Sequence, residues 1–272
     1  MSLAIAGVRK FRTRSATIVS LIIAVILVGL LLVLEGVGYR NVSADRSVDT
    51  SSIVWILSFP GAFDGVLEFT YLFLGIIGLI YVATAAGSEW SWGTLKVAVA
   101  RGQSRWKYTV ATFASLAIIL LIGMLITFGA GLIAVVIGAA IAGLPLGNPF
   151  DPAVLARILL ELARCWIALT GLTSLGYAVA MVAKSQMAGI GTVIGFFIVS
   201  IIGPSLLPDF VREIFKYMPF NISGDAIGIQ GPPGSGATNA VDPTLALVII
   251  VAWLVGCLAV ASISVQRTEI TG

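Results

Sequence analysis

Histidine is absent from all 272 residues, and that absence removes several chemistries at once. A Ser–His hydrolase, an intramembrane zinc protease and a haem held by imidazole all need the missing ring. Charge is scarce as well: 11% of residues are charged and 58% hydrophobic, where a soluble domain carries about 25% and about 45–50%. The two cysteines, Cys165 and Cys257, fall within apolar runs and lack any CxxC-like spacing. They read as free thiols behaving as small apolar residues. The longest polar segment, 208–243, has only 36 residues, too few for a soluble enzymatic domain.

Long apolar runs supply most of the chain. The mean hydropathy is +1.06, and six stretches are near the ~20 residues that a helix needs to cross a bilayer. They cover 16–34, 66–86, 110–142, 165–183, 187–207 and 245–264. The expected fold is an all-α integral membrane protein with six transmembrane helices. A pI of 9.0 and a net charge of +3 would suggest nucleic acid for a soluble protein. Here they read as the cytoplasmic excess of Lys and Arg that orients membrane helices, with the lipid bilayer as partner and no nucleic acid.

Arg9, Lys10, Arg12 and Arg14 make residues 1–15 a basic amphipathic cytoplasmic segment. The apolar run that follows has 19 residues and ends in LEGVGYR. It is longer than the ~7–15 residues of a signal-peptide core and lacks a cleavage pattern, so it reads as a retained span. Residues 16–265 then form the transmembrane domain and 266–272 a cytoplasmic tail.

The third stretch admits two readings. As one helix its 33 residues would be about 50 Å long, beyond the ~30 Å hydrocarbon core, and would tilt or kink near Gly129 and Gly131. As a hairpin it would form two short spans. Six spans place 10 Lys/Arg inside and 6 outside, and seven spans place 12 inside and 4 outside. Charge favours the hairpin, but 33 residues are short for two spans, and LITFGAGLIAVV offers no Pro, Asn or charge for a turn. Six spans with both termini cytoplasmic is the reading adopted.

Residues 231–238, GPPGSGAT, lie one letter from the phosphate-binding loop GPPGSGKT. Such a loop cradles phosphates with backbone N–H groups at a helix N-terminus and neutralises them with a Lys. Ala237 stands at the Lys position, no buried strand leads in, and no helix opens directly after. Two prolines and three glycines read as a turn, and the chain is not expected to hydrolyse nucleotide itself.

The stretch GSEWSWGTLKVAVARGQSRWKY, residues 87–108, is the most informative. It predicts a short helix from Trp90 to Ala100, closed by Gly102 at the C-terminal capping position, with Ser104 capping the next span. Trp92, Leu95 and Val99 form one apolar stripe, while Lys96, Arg101, Arg105 and Lys107 cluster beside it. Such a helix either lies among lipid headgroups or docks a cytosolic partner.

Glu89, the core Gly93-Thr94-Leu95-Lys96, the pair Arg101-Gly102 and then Ser104-Arg105 before a span resemble the type-2 ABC transporter permease family. The likeness extends to the basic segment GVRKFRTR, the six spans, the short loop between spans four and five, and the long segment before span six. Trp90, Trp92 and Trp106 are more aromatics than that pattern carries. The resemblance implies that residues 90–100 are a cytoplasmic coupling helix docking on a separate ATPase subunit. Glu89, Trp92, Gly93, Thr94, Leu95, Lys96, Arg101, Gly102 and Arg105 are the coupling residues it implies. It also implies a short external helix at PDFVREIFKYM and a second permease subunit, alike or related. The substrate class is a lipid, glycan, peptide or hydrophobic drug exported across the cell membrane. No cofactor, metal or catalytic residue is expected in this chain, because ATP belongs to the partner.

Arg157, Glu161 and Arg164 are spaced so that Glu161 can pair with either arginine on one helical face. They form an interfacial ion cluster or line a substrate path. Glu35, Asp64 and Glu68 gather at the expected outer ends of spans one and two, as solvated helix ends or as an attractor for a cationic substrate. Gly191 and Gly195 form a GxxxG that fits helix packing within one subunit or between two. Two rival functions stand beside the exporter: an ion-coupled secondary transporter, which needs buried ionisable groups in its spans, and a non-transporting scaffold that recruits an ATPase.

Overall fold

Over its described residues, each of the six apolar stretches falls on one helix of the structure, a computed structural model that describes residues 3–42, 50–206, 208–229, 231 and 240–268. Among the described residues every regular element is an α-helix. In chain order they are α1 (Leu3–Arg12), α2 (Ser15–Val42), α3 (Ser51–Leu57), α4 (Gly61–Ser91), α5 (Thr94–Ala100) and α6 (Arg105–Ala142). They continue as α7 (Pro152–Ala183), α8 (Gln186–Leu206), α9 (Asp209–Phe215), α10 (Pro219–Ile227) and α11 (Pro243–Arg267).

The sequence starts two of the long helices in the same way. Asp151 precedes Pro152 and accepts from the Ala153 N–H at 3.0 Å; Asp242 precedes Pro243 and accepts from Thr244 and Leu245. In both, a carboxylate satisfies an orphan N–H while proline supplies the φ of the first turn and needs no acceptor. Helix ends are set by left-handed residues: Gly143 (φ 70) closes α6 and Lys184 (φ 54) makes the tight turn from α7 into α8.

α2, α4, α6, α7 and α11 are each long and apolar enough to cross a membrane, and α8 carries a shorter apolar helix, Gln186–Ser200. The chain is a multi-pass membrane protein. The third stretch is a single continuous helix of 38 residues, about 57 Å long, so no hairpin interrupts it. α4 and α7 form the centre of the bundle, with 56% and 72% of their most apolar windows buried, whereas α2 and α11 bury only 17% and 22%. The uncovered residues of α2, among them Ile22, Ile26 and Leu30, are as apolar as its inner ones, which fits a lipid surface rather than water.

α2 packs on α6, and α7 packs on both α4 and α11. The α2–α6 crossing is close: a Cβ on Gly36 would overlap the Gly138 carbonyl oxygen, so neither position has room for a side chain. α1 lies along the first part of α6, with Gly7 against Ser115 and Phe11 buried. The basic N-terminal segment is therefore a packed helix of the bundle. Among the described residues a Cβ on Gly191 or Gly195 would meet nothing within 4 Å, so the GxxxG of α8 packs against none of them. Both cysteines are free and buried. The segment PDFVREIFKYM forms α9, and α10 follows it. Of GPPGSGAT, residues 232–238 lie outside the described residues.

Candidate functional site at the turn from α4 to α6

The chain leaves α4 through Gly93, which sits at φ 65 and ψ 13. That left-handed conformation costs a Cβ-bearing residue roughly 1–2 kcal/mol, and here it ends α4 and restarts the backbone as α5. The expected Trp90–Ala100 helix is therefore two pieces. Trp90 and Ser91 finish α4, Trp92 is its C-cap, and the separate helix begins at Thr94. The far end of α5 meets the expectation. Gln103 N–H donates to Ala98 O (3.1 Å) and Gly102 N–H to Val99 O (2.9 Å), with Gly102 at φ 79: a Schellman closure. Ser104 does occupy the N-cap of α6, but its side chain makes no capping bond.

Beneath this turn lies Glu89, fully buried in the last turns of α4. A carboxylate out of water is stable only when its oxygens are partnered, and both are. Lys10 Nζ of α1 donates to Oε1 at 2.6 Å. The Thr94 hydroxyl of α5 and the Tyr108 hydroxyl of α6 each donate to Oε2 at 2.6 Å. The Arg14 guanidinium stands 3.9 Å from Oε1 and donates to the Ser88 hydroxyl at 3.1 Å. The same guanidinium lies over the rings of Phe11 and Trp92, 4.8 and 4.7 Å from their centroids, a cation–π arrangement. One carboxylate thus joins α1, α4, α5 and α6.

The apolar stripe faces inward. Leu95 is fully buried, and Val99 packs against the same cluster as Phe11, Phe113 and Tyr177. Trp92 lies off the helix and is 65% exposed. The expectation that Trp92, Leu95 and Val99 form one stripe is corrected, because the Gly93 turn leaves Trp92 outside α5 while Leu95 seals the chain's own bundle. The outward surface consists of Trp92, Lys96, Val97, Ala100 and Arg101, with Trp106 and Lys107 on the first turn of α6. Arg105 points elsewhere: Nη1 donates to the carbonyls of Thr268 (2.7 Å) and Gln266 (3.1 Å) at the end of α11.

A second charged cluster joins α4 to α7. Arg157 forms a two-pronged pair with Asp64, Nη1 to Oδ1 at 2.7 Å and Nη2 to Oδ2 at 3.0 Å, and Nη1 also donates to Glu161 Oε1 at 2.9 Å. Asp64 and Glu161 are buried, and among the described residues Glu161 Oε2 has no hydrogen-bond partner. The expected helical pair Arg157–Glu161 is present. Arg164 turns instead toward Gly228 at the end of α10. Glu68 is exposed one turn beyond Asp64, outside the cluster.

Lys10, Arg14, Ser88 and Tyr108 at the first cluster, and Asp64 at the second, were not assigned these roles from the sequence. Tyr108 closes the informative stretch itself, but a contact across 79 residues, as between Lys10 and Glu89, leaves no local periodicity.

The model of a family described as a protein of unknown function (DUF2705) matches residues 55–271. The chain belongs to that family. The DUF2705 match takes in α4 to α11, with Glu89, Thr94, Tyr108 and the whole Asp64–Arg157–Glu161 cluster, whereas Lys10 and Arg14 precede it. No curated protein matches the chain.

Proposed function

We propose that this chain is the permease subunit of an ATP-binding cassette exporter, in the cell membrane with both termini cytoplasmic. It would work as a dimer, with itself or with a relative, and be driven by a separate ATPase subunit. The observation that carries the reading is the Glu89 anchor. A seven-residue helix between two long membrane helices is tied by one buried carboxylate to α1, α4 and α6, so a force applied to α5 is delivered to the bundle. The outward face suits docking: an exposed Trp92 and Val97 give apolar contact, with Lys96 and Arg101 around them. Aromatic and Arg residues are the usual anchors of protein interfaces. Lipid, glycan, peptide or hydrophobic drug is the substrate class that accompanies the reading.

A photoreactive residue at Val97, in the cells that express the protein, tests the assignment. Crosslinks to a soluble protein carrying an intact phosphate-binding loop are expected. Crosslinks to lipid alone would overturn the docking role.

The Asp64–Arg157–Glu161 cluster favours a second reading, an ion-coupled secondary transporter. Ionisable groups buried in membrane helices are expensive and mark ion paths by default. Export abolished by a protonophore while cellular ATP stays intact would select it over the first.

A further inference from the structure

Between α2, α4 and α6 lies a cavity of about 300 Å³, at the lower end of the roughly 300–1,000 Å³ typical of small-molecule sites. Its length is hydrocarbon, with Leu21, Leu74, Ile119 and Ile126 among the walls. The polar lining gathers at the elbow from α1 to α2. Thr17 and Tyr81 share a 2.8 Å hydrogen bond there, Ser20 is one turn further along α2, and Arg12 is the last residue of α1. Lys10 and Arg14 are engaged by Glu89 and Ser88. Arg12 is exposed and, among the described residues, forms no ion pair.

We propose that this cleft binds one acyl chain of an anionic glycerophospholipid, with the lipid phosphate on Arg12. The walls demand a hydrocarbon occupant, and the single cation at the polar end demands a negative head. Moving a chain from lipid into a protein cleft yields little hydrophobic gain, because lipid tails are as apolar as the walls. The headgroup must therefore supply the selectivity, and an arginine beside an anionic lipid does so. This site is independent of whether the chain exports, and it serves a resident lipid rather than a cargo.

Gly123 provides the clean block. A Cβ there would meet only the Leu21 and Leu74 methyls, both at 3.9 Å, so Gly123→Leu fills the cleft without pressing on backbone. The full chain is reconstituted in nanodiscs of equal phosphatidylglycerol and phosphatidylcholine, then released for native mass spectrometry. The wild type should retain one phosphatidylglycerol, preferred roughly fivefold over phosphatidylcholine, the worth of about one basic residue at an anionic surface. Arg12→Gln should bring the preference to about even, Gly123→Leu should lose the retained lipid, and Arg9→Gln, an exposed arginine outside the cleft, should change neither. Retention without headgroup preference in the wild type, or an equal loss of preference in Arg9→Gln and Arg12→Gln, would overturn the site. So would retention unaltered in Gly123→Leu, and if that variant does not fold, the arginine pair decides alone.

Discussion

The Tyr108 hydroxyl donates to Glu89 Oε2 at 2.6 Å, joining the end of one long helix to the start of the next beneath a helix of seven residues. Because the same oxygen also accepts from Thr94, the position of α5 depends on a charge that lies outside it.

Removing that charge should loosen four elements together. Glu89→Ala strands the hydroxyls of Thr94 and Tyr108 and is expected to cost about 3–5 kcal/mol, as for a buried pair that loses one partner. Tyr108→Phe removes one charge-assisted bond and should cost about 1.5–3 kcal/mol. Thermal unfolding of the purified protein checks the order, with limited proteolysis at the α4–α5 turn as a local readout. Equal stability of wild type and Glu89→Ala would refute the anchoring role.

Leu95 and Val97 are two residues apart on α5 and should behave oppositely. Leu95→Asp places a carboxylate in the bundle's own core, so loss of folded protein is expected before any partner is involved. Val97→Asp alters a side chain that is 50% exposed and should leave the unfolding temperature within error while abolishing capture of the ATPase proposed as partner. Coincident loss of stability in both variants would show that α5 has no free face.

Arg157 pairs with two buried carboxylates, so Arg157→Ala should destabilise by about 3–5 kcal/mol. Replacing Asp64, Arg157 and Glu161 together by Leu, Met and Leu should recover most of that loss, since a well-packed apolar substitute is often neutral or better. Unfolding measurements on the single and triple variants decide. A triple variant no more stable than Arg157→Ala would assign the cost to lost packing instead of lost charge balance.

Asp225 lies on α10, where burial pushes its carboxyl above the ordinary value of 3.8 and the Ala240 and Val241 N–H groups offset only part of that rise. A carboxyl raised in the folded state holds its proton more tightly there than in the unfolded chain. Its contribution is complete below the ordinary value and is lost as pH climbs through the folded one. Unfolding temperature should therefore fall across that acidic window, and Asp225→Asn should flatten the fall. An identical pH profile in the two proteins would exclude Asp225 as its source.

Apolar composition made the helices legible, but their ends were less so. The run 66–86 became Gly61–Ser91 because glycine and polar residues can continue a helix that tertiary packing supports. α3 went unread, since SSIVWIL is a short apolar run without a decisive period. At the site, Gly102 was readable because a stop glycine has a local signature. Gly93 was not, as one glycine within a helical pattern is ordinarily tolerated, and that single φ parts Trp92 from the stripe it was expected to share with Leu95. Leu95, Lys10 and Asp64 take their roles from helices far away in the chain, and no spacing rule carries that information.

The bond from Lys10 to Glu89 also orders events at the ribosome. α1 is made before its acidic counterpart, which emerges only after α2 and most of α4, 79 residues later. Until Glu89 is made, the Lys10 ammonium lacks the carboxylate that it pairs with in the fold. When the end of α4 is in place, Glu89 holds α1 to α4 and α6 through a buried contact. The clasp on α1 is thus closed by a residue from far along the chain.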